Sequence, residues 1–165
     1  MLIALTGFMG SGKSTVGRSL ADMLGCPFLE LDAMVEKAAG RSITAIFAEG
    51  GESAFRSLEA AALKKALSKY SQSDAVLACG GGTDLSALKG ATCIWLRAGV
   101  DELAERLSSE TASRPLLKDA EDLRGRISEL LTAREATYEA AADVILDTDG
   151  HSPEEIAQEI IITAL

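Results

Sequence analysis

This 165-residue chain contains one histidine, His151, so a multi-histidine metal centre is excluded and a Ser-His-Asp arrangement has a single candidate member. Cysteine is also scarce. Cys26, Cys79 and Cys93 are an odd number without a C-x-x-C pair, and two of them sit in apolar runs, which reads as small buried hydrophobes in a reducing compartment. Positive charge is in deficit. Sixteen Lys and Arg against 25 Asp and Glu give a formal charge of -9, leaving no basic surface to follow a nucleic-acid backbone or an anionic membrane. No apolar run approaches the ~20 residues of a membrane span, and Met1-Leu2-Ile3-Ala4-Leu5 lacks the basic flank of a signal peptide. A cytoplasmic protein is expected. Internal repeats, low-complexity tracts and a Pro/Ser-rich linker are absent too, so one domain over residues 1–165 is the simplest organisation, with 47% hydrophobic residues to fill its core.

Short apolar runs alternate with helical patterns along the chain, the signature of β-α-β units around a parallel sheet. Five strands are expected at Leu2-Thr6, Pro27-Leu31, Ala75-Cys79, Thr92-Leu96 and Val144-Leu146. Helices fit Lys13-Leu24, Glu52-Lys69, Val100-Ser108 and Asp122-Ala141, with a last one that Ser152, Pro153 and Glu155 open as a capping box. The fold class is therefore α/β, a three-layer arrangement of helices on a five-stranded parallel sheet. Gly40-Gly51 and Ser109-Ala120 fit no element and read as mobile segments over a site.

Gly7-Phe8-Met9-Gly10-Ser11-Gly12-Lys13-Ser14 matches G-x-x-x-x-G-K-[ST] between the first strand and the first helix, where a phosphate-binding loop has to lie. Glycines let successive N-H groups turn inward toward phosphate oxygens, and the helix N-terminus adds partial positive charge. Gly10, Ser11, Gly12, Lys13, Ser14 and Thr15 are the nucleotide-binding candidates, Lys13 reaching the outer phosphates and the Ser14 hydroxyl serving Mg²⁺. Two absences narrow the class. The apolar run Ala75-Cys79 ends in Gly80-Gly81-Gly82 and not in the acid usual in motor and transporter ATPases, and the N-K-x-D base-reading motif of GTPases is missing. Small-molecule kinases remain.

Acceptor chemistry has candidates further along. Glu30 and Asp32, two apart at the end of the second strand, are expected to project to one side near its C-terminal end, where ligands of open α/β sheets bind. One could orient or deprotonate an attacking hydroxyl while the other holds magnesium through water; capping of the next helix is the alternative for Asp32. Arg56, early in a helix, could fork onto a carboxylate with Glu59 three residues on to steady it, and Arg114 in an unassigned stretch and Arg134 inside a long helix are further candidates; for each a surface ion pair is the alternative.

Taken together, Gly7 to Ser14, Glu30-x-Asp32, Gly40-Arg41-Ser42-Ile43 with Ile46-Phe47, Phe55-Arg56-x-x-Glu59, Gly80-Gly81-Gly82, Arg114-Pro115-Leu116-Leu117 and Arg134 with Tyr138 resemble the shikimate kinase family, in order and over nearly the whole chain. The resemblance implies a P-loop fold like that of nucleoside monophosphate kinases, with a substrate-binding segment about 32–60 and a lid about 109–120. It implies transfer of the ATP γ-phosphoryl group to the 3-hydroxyl of shikimate by a Mg²⁺-dependent monomer whose partners are these two small molecules. Lys13, Asp32 and Arg114 would be catalytic, with Asp32 also binding shikimate hydroxyls and Arg114 closing over ATP. Arg56 and Arg134 would grip the shikimate carboxylate, Gly80, Gly81 and Gly82 would bring backbone close to it, and Phe47, Phe55, Pro115 and Leu116 would supply apolar walls. Ser14, with Glu30 acting through water, would serve the metal. Arg106 would pack on adenine, and Asp147-Gly150 would hold its edge.

There are two departures from the family pattern: Glu30 replaces the usual first Asp of Asp-x-Asp, and Thr83-Asp84 after the glycines are more polar than expected. A kinase for another small acceptor, such as gluconate or a nucleotide, and a non-catalytic nucleotide-binding module stay open as alternatives on the residues alone.

Overall fold

The computed structural model describes residues 1–111, 114, 116–117 and 121–165. Its strands are β1 (Leu2–Thr6), β2 (Phe28–Glu30), β3 (Ala75–Ala78), β4 (Thr92–Arg97) and β5 (Val144–Asp147). They form one sheet in the order β2-β3-β1-β4-β5, every pair parallel. Helices α1 (Lys13–Leu24), α2 (Leu31–Ala39), α3 (Ile43–Lys69), α4 (Val100–Leu107), α5 (Leu123–Ala141) and α6 (Pro153–Ala164) complete the described structure.

Alternation along the strands explains why both faces are covered. In β1, Leu2 and Ala4 join one apolar cluster with α2, α3 and α5, while Ile3 and Leu5 join a second with α1 and α6. Cys93 and Trp95 of β4 face the first cluster and Ile94 and Leu96 the second. A strand buried on both faces reads as a continuous apolar run, as β1, β3 and β4 do. Leu5 pairs with Ala78 and Ala78 with Glu30, so the C-terminal ends of β1, β3 and β2 emerge level with one another.

Three expectations are corrected. β2 stops at Glu30, and Leu31, wholly buried, already begins α2; Asp32 therefore lies in a helix's first turn, not on a strand beside Glu30. The stretch Leu31–Ala39 is helical, so the alternative of a helix following β2 holds, with Asp32 inside its first turn. Gly40-Gly51 is not a loop either: Ser42 caps a helix from Ile43 by accepting from the Ala45 amide at 3.2 Å. That helix continues to Lys69 across a break at Gly51, whose φ of 70° and ψ of -172° form a conformation open essentially to glycine. The last helix keeps its expected start, with Ser152 and Glu155 exchanging backbone contacts at 3.1 and 2.8 Å. Among the described residues, no helix is long and apolar enough to cross a membrane. Much of the expected lid, including Pro115, lies outside the described residues.

Candidate active site

Two clefts open at the C-terminal edge of the sheet. The larger, about 590 Å³, runs along the phosphate loop and takes in all of Gly10, Ser11, Gly12, Lys13, Ser14 and Thr15, with Glu30, Arg106, Thr148 and His151 at its sides. The smaller, about 330 Å³, is bounded by Phe47, Phe55, Arg56, Gly82, Leu116 and Arg134. Met9, Asp32, Gly80, Gly81 and Arg114 line both. All five cations singled out in the sequence, Lys13, Arg56, Arg106, Arg114 and Arg134, thus converge on two adjoining spaces despite the acidic total.

Sterics build the phosphate loop. Gly7 has φ of 137°, and a Cβ there would lie 2.5 Å from the Leu96 carbonyl oxygen, so only glycine lets β1 turn this tightly against β4. Lys13 opens α1 and folds its ammonium back onto the Gly7 and Phe8 carbonyls, each at 2.8 Å. Its burial lowers its pKa from the usual lysine range to about 8. Arg106 donates to the Gly10 carbonyl at 3.0 Å and pairs with Glu102 at 2.8 Å, bracing the loop from α4. The Ser14 hydroxyl donates to Glu30, whose other oxygen meets Arg18 at 3.4 Å.

The second cleft is organised by buried charge. Glu59, 2% exposed, accepts from Arg56 Nη1 at 2.9 Å, and Arg56 also lies over the Phe55 ring. Phe55 packs on Phe47 with centroids 5.0 Å apart. Arg134 stands over the Phe8 ring, and its Nη1 is buried with no hydrogen-bond partner. Asp32 Oδ1 is in the same condition. Burial raises the Asp32 pKa above the ordinary carboxylate range and nearby Glu59 adds to the rise, against the pull of Lys13, Arg114 and Arg56. Unpaired buried polar atoms are costly, and both of these belong to residues that line the smaller cleft.

The three consecutive glycines are explained by space. A Cβ on Gly80 would stand 2.8 Å from Glu59 Oε2 and 3.4 Å from Asp32 Oδ1. One on Gly81 would stand 3.0 Å from the Met9 amide, and one on Gly82 would overlap the Arg56 guanidinium. A side chain at any of them would displace the groups that define the clefts. Tyr138, buried against Trp95, donates its hydroxyl to the Gly81 carbonyl and holds the loop from α5. Burial pushes its pKa up to about 12, so it remains a donor.

Other outcomes differ in detail. Within Asp147-Gly150, Thr148 alone borders the larger cleft; Asp147 pairs with Arg97 at 2.6 Å and Asp149 accepts from the Gly99 amide at 3.1 Å. His151, unassigned in the sequence, stands beside the cleft, and only its position next to that loop could have signalled it. Cys79 lines the same cleft, but burial pushes its thiol up, leaving it protonated and a poor nucleophile. Arg114 pairs with Glu110 at 3.2 Å, one turn away.

The shikimate kinase family model matches residues 9–164. A curated shikimate kinase of Chlorobium chlorochromatii is 42% identical over 96% of this chain and 90% of its own length. Among solved structures, the shikimate kinase of Acinetobacter baumannii in complex with shikimate superposes with a TM-score of 0.89 at 32% identity, covering 97% of this chain and 90% of that one. The enzyme from Aquifex aeolicus gives 0.82 at 36% identity over 98% and 95%. Likeness of this extent reaches far beyond a phosphate loop that many nucleotide-binding proteins share: the chain belongs to the shikimate kinase family.

Proposed function

We propose that the chain transfers the γ-phosphoryl group of ATP to the 3-hydroxyl of shikimate, with nucleotide in the larger cleft and acceptor in the smaller. The observation that carries this reading is the shared wall. Asp32, Gly80, Gly81 and Arg114 border both spaces, so a phosphoryl group leaving one molecule and a hydroxyl on the other would meet there. A shikimate-bound relative of the same fold supports the choice of acceptor.

Roles follow from position. Lys13 would leave its carbonyl partners for the β- and γ-phosphates, and Arg114 would offset charge on the transferring group. Asp32 would orient the acceptor hydroxyl and take its proton, a task suited to a carboxylate held above its ordinary range. Arg56 and Arg134 would grip the acceptor carboxylate, and Arg106 and Thr148 would border the base. The residues beside the loop also fit a divalent ion. Ser14 and Glu30 are hard oxygen donors in contact with each other. This suits Mg²⁺, which retains waters and takes the rest of its shell from substrate phosphates. Ser14 would hold it directly and Glu30 through water, and when bound it would neutralise charge on the nucleotide.

The reading extends to organisation and location. It takes the chain as a monomer with one kinase domain, an acceptor segment near 32–60 and a lid near 109–120. Three free thiols support a reducing cytoplasm.

An assay of ADP release against shikimate, gluconate and nucleoside monophosphates tests it. Shikimate alone should stimulate ATP consumption; no stimulation over background hydrolysis would falsify the proposal. Arg56→Ala should raise the shikimate KM by about two orders of magnitude, as expected for a lost charge-assisted fork, and leave the ATP KM within about twofold. A parallel loss of ATP affinity would remove Arg56 from the acceptor side.

A further inference from the structure

Thr83 is a polar residue in a place where the family pattern leads one to expect a small apolar one, and its surroundings give it a task. It is 5% exposed, and its backbone amide closes the glycine turn on the Gly80 carbonyl at 3.3 Å. Its hydroxyl donates to Glu59 Oε2 at 2.9 Å. Glu59 divides its two oxygens, one to Arg56 and one to Thr83, so each has a donor. The neighbouring Asp84 does something separate: it caps the short turn Leu85–Ala87, accepting from the Ser86 amide at 3.1 Å.

We propose that Thr83 is a positioning residue for the acceptor, its hydroxyl stapling the triple-glycine turn to Glu59 so that Glu59 keeps the Arg56 guanidinium aimed into the smaller cleft. Without the hydroxyl, Glu59 Oε2 becomes a buried acceptor with no donor, facing Asp32 Oδ1 across the space that a Gly80 side chain would fill. A buried carboxylate oxygen left without a donor is relieved by turning toward one elsewhere. That turn slackens its hold on Arg56. Thr83 lines neither cleft, and its hydroxyl reaches Glu59 and through it Arg56, so the effect falls mainly on the acceptor side.

This inference rests on Arg56 holding the acceptor, and Thr83→Val tests it, since the side chain keeps its shape and loses only the hydroxyl. The shikimate KM should rise about tenfold, the size expected for one hydrogen bond to a buried charge, with the ATP KM and kcat within about threefold of wild type. Thr83→Ser should restore the wild-type KM. A shikimate KM within twofold of wild type, an equal rise for both substrates, or a serine variant as impaired as valine would overturn the proposal. If Thr83→Val does not fold, Thr83→Ala reads the same constants, with the same outcomes deciding. Wild-type protein that fails to turn over shikimate would sink the functional reading; active wild type with an unmoved Thr83→Val would sink this one.

Discussion

Lys13→Ala should lower turnover about a thousandfold, the scale on which removal of a preorganised charge stabiliser acts, while the protein stays folded. Lys13 is 9% exposed and held by the Gly7 and Phe8 carbonyls, so its charge is already in place before nucleotide arrives. Burial disfavours that charge and brings its pKa to about 8. Below that value the ammonium attracts phosphate; above it, the ligand-free protein loses the charge and must regain a proton on binding. Nucleotide affinity, measured by calorimetry from pH 6 to 10, should hold level to about 8 and then fall, whereas the alanine variant should lack that fall. Stability changes the other way. Between about 8 and the ordinary lysine value of 10.5, the unfolded chain binds the extra proton, so wild-type stability gains with pH over that window through this group. The variant should lack this gain and melt no lower than wild type near neutral pH. Unchanged turnover would refute the phosphate-loop assignment.

Asp32→Asn should lower kcat by about 10²–10⁴-fold, the usual contribution of a positioned general base, with a much smaller effect on ATP affinity. Asparagine keeps the shape and presents an amide where the carboxylate oxygen waits without a partner. The pH profile distinguishes proton transfer from mere contact. Because burial and Glu59 hold the Asp32 carboxyl above the normal range, activity should decline on the acid side at a pH higher than an ordinary aspartate would give. The residual activity of the variant should lack that limb. An acid limb that persists in Asp32→Asn would assign it to another group.

What could be read from the sequence was what depends on neighbours in the chain. The phosphate loop, β1, α1 and the Ser152 capping box are each marked by residues adjacent in the sequence, and each appears where expected. Glu30 and Asp32 were harder, because a spacing of two describes one side of a strand and equally a strand-to-helix junction, and here the junction won. Gly50-Gly51 looked like loop punctuation, yet Ser42 had already started a helix that the Gly51 backbone bends and does not end. Thr83 was illegible for a different reason. Its partner Glu59 is 24 residues away on another element, and no local pattern reports such a contact.

The absence of any linker between β2 and α2 constrains how the acceptor could be exchanged. Glu30 lines the larger cleft and Asp32 both clefts, with one residue, Leu31, anchored between them in the core at zero exposure. A shift that re-aims Asp32 for a differently shaped alcohol would drag Glu30 with it and disturb Ser14. Redesign for a new acceptor therefore has its freedom on the α3 side, around Phe47, Phe55 and Arg56, where the Gly51 bend separates the first stretch of the helix from the rest. The carboxylate proposed to receive the proton is thus fixed beside a wholly buried residue at a strand-to-helix junction.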